Sequence, residues 1–130
     1  MATGCVAIAR QMEILGDGTQ VKPFFLVEDC IQGMLCAFEK QEKSCVVYNL
    51  GCESDTVVNR LADIVVEEMG LKDVKFTYTG ERRGWPGDAP EVHFKIDKMK
   101  ELGWQPGHSS DEAVRIAARR LIKTGLSLEG

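Results

Sequence analysis

Two adjacent arginines and a tryptophan in one loop are the residues of this chain best suited to chemistry. Arg82, Arg83 and Trp85 fall within the segment Gly80–Gly103, which begins with several glycines and prolines. A guanidinium group stays charged and offers paired donors, so arginine is the side chain best matched to a phosphate. The pattern therefore indicates an anion site, although a surface loop with solvated charges would have the same composition.

Length, composition and charge limit the class of protein. The chain has 130 residues, of which 44% are hydrophobic and 28% charged, and its formal net charge is −4. These values are typical of one globular domain spanning residues 1–130. A negative chain is a poor partner for nucleic acid or an anionic membrane surface. No apolar run approaches the roughly 20 residues that a membrane helix needs, so we expect neither nucleic acid nor membrane as a partner.

The five cysteines indicate a reducing compartment. They cannot all pair within the chain, and none forms a C-x-x-C motif. Cys30 and Cys36 lie in an apolar helical pattern, where a free thiol behaves as a small hydrophobe. We therefore expect a cytoplasmic protein without disulfides. His93 and His108 lack the spacing of a zinc site, so no metal is expected.

Strand and helix signals alternate along the chain, which predicts an α/β fold. A tight turn is predicted at Gly16–Gly18. Helices are predicted from Glu28 to Phe38, from a Thr56 cap to Gly70, from an Asp97 cap to Gly103, and from a Ser109 capping box to Gly125. The last helix is expected to pack through Val114, Ala117, Leu121 and Ile122. Strands are predicted at Phe24–Val27, Val46–Leu50 and Val74–Tyr78.

The chain lacks a complete catalytic set. It has no P-loop and no G-x-G-x-x-G turn between a strand and a helix; the nearest pattern is Gly16-Asp17-Gly18. Neither Tyr48 nor Tyr78 is followed four residues later by a lysine. Cys45 and Cys52 are interpreted as packing residues, because nothing nearby would lower the pKa of a thiol.

Three separated blocks nevertheless resemble one family. The segment Gly16–Asp29, GDGTQVKPFFLVED, resembles the G-D-G-x-Q-x-(R/K)-x-(F/Y)-x-x-V-x-D segment of extended short-chain dehydrogenase/reductases. Those proteins are the NAD-dependent nucleotide-sugar epimerases and dehydratases. Arg83–Pro90, followed by Asp97 and Leu102–Pro106, is similar to the C-terminal signature of the family, and Tyr48–Gly51 is similar to a strand end. The order and spacing of the blocks agree over essentially the whole chain.

The resemblance covers only the C-terminal third to half of such an enzyme. It implies an α/β substrate-binding part with a small mixed sheet and about four to five helices, lacking the N-terminal Rossmann core. It also implies that NAD and the catalytic group belong to that core, so no cofactor is expected for this chain alone. Residues 24–50 would pack on the Rossmann sheet. The chain is therefore expected to be an excised part of an enzyme or a naturally truncated relative.

The family also implies which residues contact substrate, taken to be a UDP- or dTDP-hexose. Lys22 occupies the place of a basic residue near the nucleotide or its phosphates, and Arg83 that of the loop arginine at the diphosphate. Asp88 has a supporting role in that loop, and Asn49 matches a residue that lines the cleft. Pro23 departs from the Asp or Ser common at its position, which leaves the path of the chain beside Lys22 open.

Several functions remain compatible with these residues. The first is the substrate-binding part of a UDP-glucose 4-epimerase-like enzyme, inactive in isolation; a 4,6-dehydratase or reductase part is the close alternative. A free-standing, non-catalytic domain that binds a nucleotide or a protein is the third. Trp85 and Trp104 are interpreted as packing residues, with a role as platforms for base stacking as the alternative. Without the Rossmann sheet, Val46 and Val47 would lie on an exposed edge, which suggests a homodimer.

Overall fold

The computed structural model describes residues 11–125 as a set of short strands and helices. In chain order they are β1 (Gln11–Ile14), β2 (Val21–Lys22), α1 (Val27–Lys40), β3 (Thr56–Val57), α2 (Val58–Glu68), β4 (Lys75–Tyr78), α3 (Asp97–Glu101) and α4 (Ser110–Lys123). The α/β class and the helix number are as predicted. The sequence of Val6–Ile14 predicts a helix leading into an extended stretch; the part before Gln11 lies outside the described residues, and Gln11–Ile14 forms β1.

The strands form two small sheets. β1 pairs with β4 in parallel, with Gln11 opposite Lys75 and Ile14 opposite Tyr78. β2 pairs with β3 in antiparallel fashion, and Val21 also forms a parallel bridge to Glu91. The second sheet therefore joins three distant segments of the chain, and it is the one that carries the candidate site.

The main hydrophobic core lies around α3. Ile96, Met99 and Trp104 are buried there, and the partly buried Tyr48 and Leu50 pack against them. A β-carbon on Gly33 of α1 would lie 2.9 Å from the indole of Trp104, so glycine allows this helix to approach the core. Trp104 is thus a packing residue, as predicted.

Helices α2 and α4 pack against each other beside that core. α4 begins with the predicted capping box, in which Ser109 and Glu112 satisfy each other's backbone amides. Glu68, at the end of α2, accepts a hydrogen bond from Arg115 at 2.5 Å and another from Arg119 at 2.6 Å. The contact between the two helices is therefore partly ionic.

The predicted packing face of α4 is wrong by about one residue. Ala113 and Ala118 are buried, whereas Ala117 and Leu121 are exposed. Val114, Ala117 and Leu121 line an open hollow of about 530 Å³ together with Leu61 and Val65 of α2, while Arg115 and Arg119 pair with Glu68. Periodicity in hydrophobic residues could not show this rotation.

Two predicted helix caps are also wrong. Thr56 lies in β3 and is buried, and its hydroxyl group lies 2.7 Å from the hydroxyl of Ser110 and donates to Asp111 at 2.7 Å. Val57 occupies the capping position of α2 and makes no side-chain cap bond. Asp97 is the first residue of α3 and follows the capping position, so its carboxylate favours the helix dipole without capping.

Two of the three predicted strands are wrong as well. Phe24–Leu26 is irregular and leads directly into α1, and the Phe24 amide donates to Ser110 Oγ at 3.0 Å instead of to a strand. Val46–Leu50 has no strand partner among residues 11–125. A strand needs a neighbour as well as an apolar sequence, and Val47 remains exposed. The third strand, β4, forms as predicted.

One face of α1 is exposed although it is apolar. Its residues follow helical spacing and are Val27, Ile31, Met34, Leu35 and Phe38. We call this set the α1 stripe; Phe38 is the most exposed member, at 80%. A stripe of this kind is unusual on an isolated domain and marks a surface that another polypeptide can cover.

None of the helices within residues 11–125 has the length and apolar composition needed to cross a membrane.

Candidate functional site

Lys22 is held in place by a short antiparallel ladder. It is the last residue of β2, paired with Thr56 of β3. Its ammonium group donates to Asp88 Oδ1 at 2.6 Å and also to the carbonyl of Ala89. The Lys22 side chain is 25% exposed and that of Asp88 is 12% exposed. The ion pair is therefore largely shielded from solvent, where charge pairs interact more strongly than at the surface.

Asp88 connects Lys22 to the arginine loop. Its second carboxylate oxygen accepts the backbone amide of Gly84 at 3.2 Å, and its own amide donates to the Trp85 carbonyl at 2.9 Å. The hydrogen bond from Lys22, followed by that from Gly84, holds the pKa of Asp88 below its usual value. Asp88 therefore remains a carboxylate and fixes the turn Gly84–Asp88.

The turn that precedes β2 supports the same arrangement. Gly16 and Gly18 have positive φ angles of 92° and 76°, which confirms the predicted tight turn. A β-carbon at Gly18 would lie 2.0 Å from the side-chain oxygen of Asn59, so the position requires glycine. The turn joins β1 to β2 and is followed by a strand, unlike a dinucleotide-binding turn, which opens a helix.

Two adjoining hollows share lining residues of the loop. Lys22 and Asp88 line one of about 620 Å³, together with Phe24 and Phe94. Arg83 lines the other, of about 500 Å³. Gly84 and Trp85 belong to both linings. Lys22 and Arg83 thus line neighbouring hollows that share Gly84 and Trp85, and we call this shared pair the Gly84–Trp85 wall.

Arg82 and Arg83 differ in whether the guanidinium group has an ion-pair partner among residues 11–125. Arg82 forms an exposed ion pair with Glu91 at 3.5 Å. Arg83 is exposed and has no hydrogen bond or ion pair with any residue in the described range 11–125. Its charge nonetheless contributes to the lowered pKa of Asp88. Arg83 therefore offers the more available guanidinium for an anion.

The structure does not bring Asn49 to this site. Its side chain is exposed and donates weakly to the Lys95 carbonyl at 3.5 Å. It lines a separate hollow of about 250 Å³ with Val47 and Asp97. The physical reason is the missing strand: without a ladder through Val46–Leu50, nothing directs this residue toward Lys22. A role for Asn49 in binding remains a prediction from the motif.

Gln20 is a site residue that our reasoning from the sequence did not single out. It is buried, lines the larger hollow, and donates from its side-chain nitrogen to the Leu15 carbonyl at 2.8 Å. The other side-chain atom, Oε1, is buried without a partner among the described residues. A β-carbon on Gly16 or Gly84 would approach the Gln20 side chain at 2.2 or 3.3 Å. Gln20 thus packs the turn against the arginine loop; its place in the GDGTQ block was the available signal.

Comparison with known proteins supports the fold and the motifs. No family model matches the chain. It is 29% identical over 105 residues to the UDP-glucose 4-epimerase of Dictyostelium discoideum, covering 78% of this chain and 29% of that protein. It is 28% identical over 117 residues to the dTDP-glucose 4,6-dehydratase of Haemophilus influenzae, covering 83% of this chain and 34% of the relative.

A solved structure gives the same result. The UDP-glucose 4-epimerase of Thermotoga maritima, determined with UDP-glucose, superposes with a TM-score of 0.73 at 30% identity. The match covers 88% of this chain and 35% of that one. The chain spans about a third of the length of the curated relatives it matches. These relatives and this solved structure are epimerases and a dehydratase that match most of this chain, which is consistent with the C-terminal part of an extended short-chain dehydrogenase/reductase.

Proposed function

We propose that this chain binds the diphosphate of a nucleotide sugar, as the substrate-binding part of a UDP-glucose 4-epimerase-like enzyme. The observation that carries the proposal is that Lys22 and Arg83 line neighbouring hollows that share the Gly84–Trp85 wall. The negative charge of a diphosphate allows it to contact two such cations. Each charge-assisted contact contributes on the order of 1.5–3 kcal/mol to the free energy of binding. The identity to a dTDP-glucose dehydratase supports a 4,6-dehydratase or reductase part as the alternative.

The complete enzyme would use NAD, which we assign to residues outside this chain. The described residues do not fit the cofactor, because the Gly16–Gly18 turn is followed by β2 and not by a helix. The Gly18 carbonyl also accepts the Asn59 amide at 2.9 Å, which ties the turn to α2. This chain would therefore bind and orient the substrate, and we propose that it catalyses nothing alone.

We also propose that residues 24–50 pack against the N-terminal part of the enzyme. The support is the α1 stripe and, close to it in sequence, the unpaired segment Val46–Leu50 with its exposed Val47. A second copy of this chain is the alternative partner for the same surface. The free thiols of Cys30, Cys36, Cys45 and Cys52 support a cytoplasmic location.

The two adjacent arginines allow a matched test of the binding proposal. UDP-glucose would be titrated by calorimetry into the parent chain and into its Arg83→Glu and Arg82→Glu variants. Losing one charge-assisted phosphate contact should weaken binding by about tenfold or more in Arg83→Glu. Arg82→Glu carries the same change in charge but breaks only the exposed pair with Glu91, so its affinity should stay within a few fold of the parent. Equal affinities of all three proteins would refute the role of Arg83.

A further inference from the structure

Trp85 is an exposed tryptophan at the centre of the proposed site. The residue is 61% exposed, whereas Trp104 is only 7% exposed. Our interpretation of Trp85 as a packing residue is therefore wrong. Large aromatic side chains carry much apolar area, so an exposed one in a defined position is a candidate contact for a ligand.

The indole of Trp85 is held in position by its own loop. A β-carbon at Gly87 would lie 2.2 Å from Trp85 Cζ3, so the ring lies against the Gly87 backbone. The Trp85 carbonyl accepts the Asp88 amide, and Asp88 is fixed by Lys22 and Gly84. The ring is covered on one side and belongs to a turn that is fixed by hydrogen bonds. Its side chain therefore loses little conformational entropy when a ligand contacts it.

The position of the ring relates it to both cations. Trp85 contributes to the hollow that contains Lys22 and to the hollow that contains Arg83. A ligand whose diphosphate contacts either cation would place the adjoining group beside the indole. The larger hollow is lined largely by apolar side chains, including Phe24 and Phe94, which suits a planar ring better than a hydrated hexose.

We propose that Trp85 stacks against the nucleobase of the nucleotide sugar and thereby contributes to recognition of the nucleotide half. This inference rests on the proposed function. Every base has a π face, so stacking on an aromatic side chain is tolerant of base identity. The contact would accept uracil and thymine alike, and it would add affinity for nucleotides over bare phosphates.

The test separates the base from the phosphates. UDP and inorganic pyrophosphate would be titrated into the chain and into its Trp85→Leu and Trp85→Tyr variants, with circular dichroism to confirm that each is folded. Trp85→Leu should bind UDP about fivefold or more weakly, since base–aromatic stacking is sensitive to loss of the ring. Trp85→Tyr, which retains a ring, should keep most of the affinity. Pyrophosphate affinity should be the same in all three proteins.

Intrinsic fluorescence gives an independent measurement. Because Trp104 is buried, UDP should quench only the exposed, red-shifted component of the emission, and pyrophosphate should not. Unchanged UDP affinity in Trp85→Leu would overturn the stacking contact and leave the proposed function standing. Equal losses for UDP and pyrophosphate would also overturn it, since Trp85 would then act on the loop. Failure of the parent chain to bind either probe would overturn both proposals.

Discussion

At the scale of single residues, the site depends on a carboxylate that keeps a lysine in place. Lys22 and Asp88 are 66 positions apart, and their contact at 2.6 Å exists only because β2 lies beside the Pro90–Glu91 segment. The residue types of Lys22 and Arg83 could be read from the motif. Their partners could not, because neither the pairing with Asp88 nor the availability of Arg83 has a local signature in the sequence.

Asp88→Asn should destabilise the fold in a pH-dependent way. The pKa of Asp88 in the folded chain lies below the ordinary value of 3.8, chiefly because Lys22 donates to it. Its contribution to the free energy of unfolding is therefore present above pH 3.8 and is lost as the pH falls through the lowered folded value. Urea unfolding at several pH values should show a difference between parent and variant at pH 7 that disappears in acid.

Asp63→Asn is the control for that experiment. Asp63 is exposed on α2 and has no ion pair within residues 11–125, so its stability difference should be small at every pH. A difference for Asp88→Asn that persists unchanged into strong acid would mean that Asp88 acts through packing and not through its charge.

At the scale of elements, the helices were predictable and most strands were not. α1, α2 and α4 follow from apolar periodicity and, for α4, from the Ser109 capping box, which are local signals. Phe24–Leu26, which is irregular, and Val46–Leu50, which pairs with no strand within residues 11–125, show the limit of that approach. A strand is stabilised by its neighbour, and the identity of the neighbour is a property of the fold.

Glu68→Gln should weaken the contact between α2 and α4 more than Glu67→Gln does. The Glu68 side chain is 10% exposed and pairs with both Arg115 and Arg119, whereas that of Glu67 is 50% exposed. Neutralising one partner of a shielded ion pair lowers the free energy of unfolding more than neutralising one partner of an exposed pair does. Thermal unfolding monitored by circular dichroism should give a lower midpoint for Glu68→Gln. Identical midpoints for the two neighbours would rule out a structural role for the shielded carboxylate.

At the scale of the whole molecule, the chain folds around its own core but leaves an apolar surface uncovered. The α1 stripe and Val47 are exposed while the opposite side of α1 contacts Trp104 through Gly33. The amphipathic pattern of α1 was visible in the sequence. Which of its faces is covered within this chain could be learned only from the structure, because periodicity marks an apolar face without naming what covers it.

Phe38→Ser should therefore reduce self-association without loss of stability. Phe38 is 80% exposed, so its replacement should change the free energy of unfolding by about 0.5 kcal/mol or less. Sedimentation of the parent chain should show association at high concentration that the variant lacks. Met69→Ser, an exposed apolar residue outside the α1 stripe, serves as the control. A strictly monomeric parent chain would exclude a homodimer through this surface.

The central claim, that this chain binds a nucleotide sugar at the Gly84–Trp85 wall, is tested most directly by amide NMR of the chain titrated with UDP-glucose. We predict saturable shifts concentrated in Val21–Phe24 and Gly80–Asp88, the two segments that contribute Lys22, Arg83 and Asp88 to the hollows. The absence of shifts at millimolar UDP-glucose, or shifts confined to Val46–Leu50 and α3, would contradict the account.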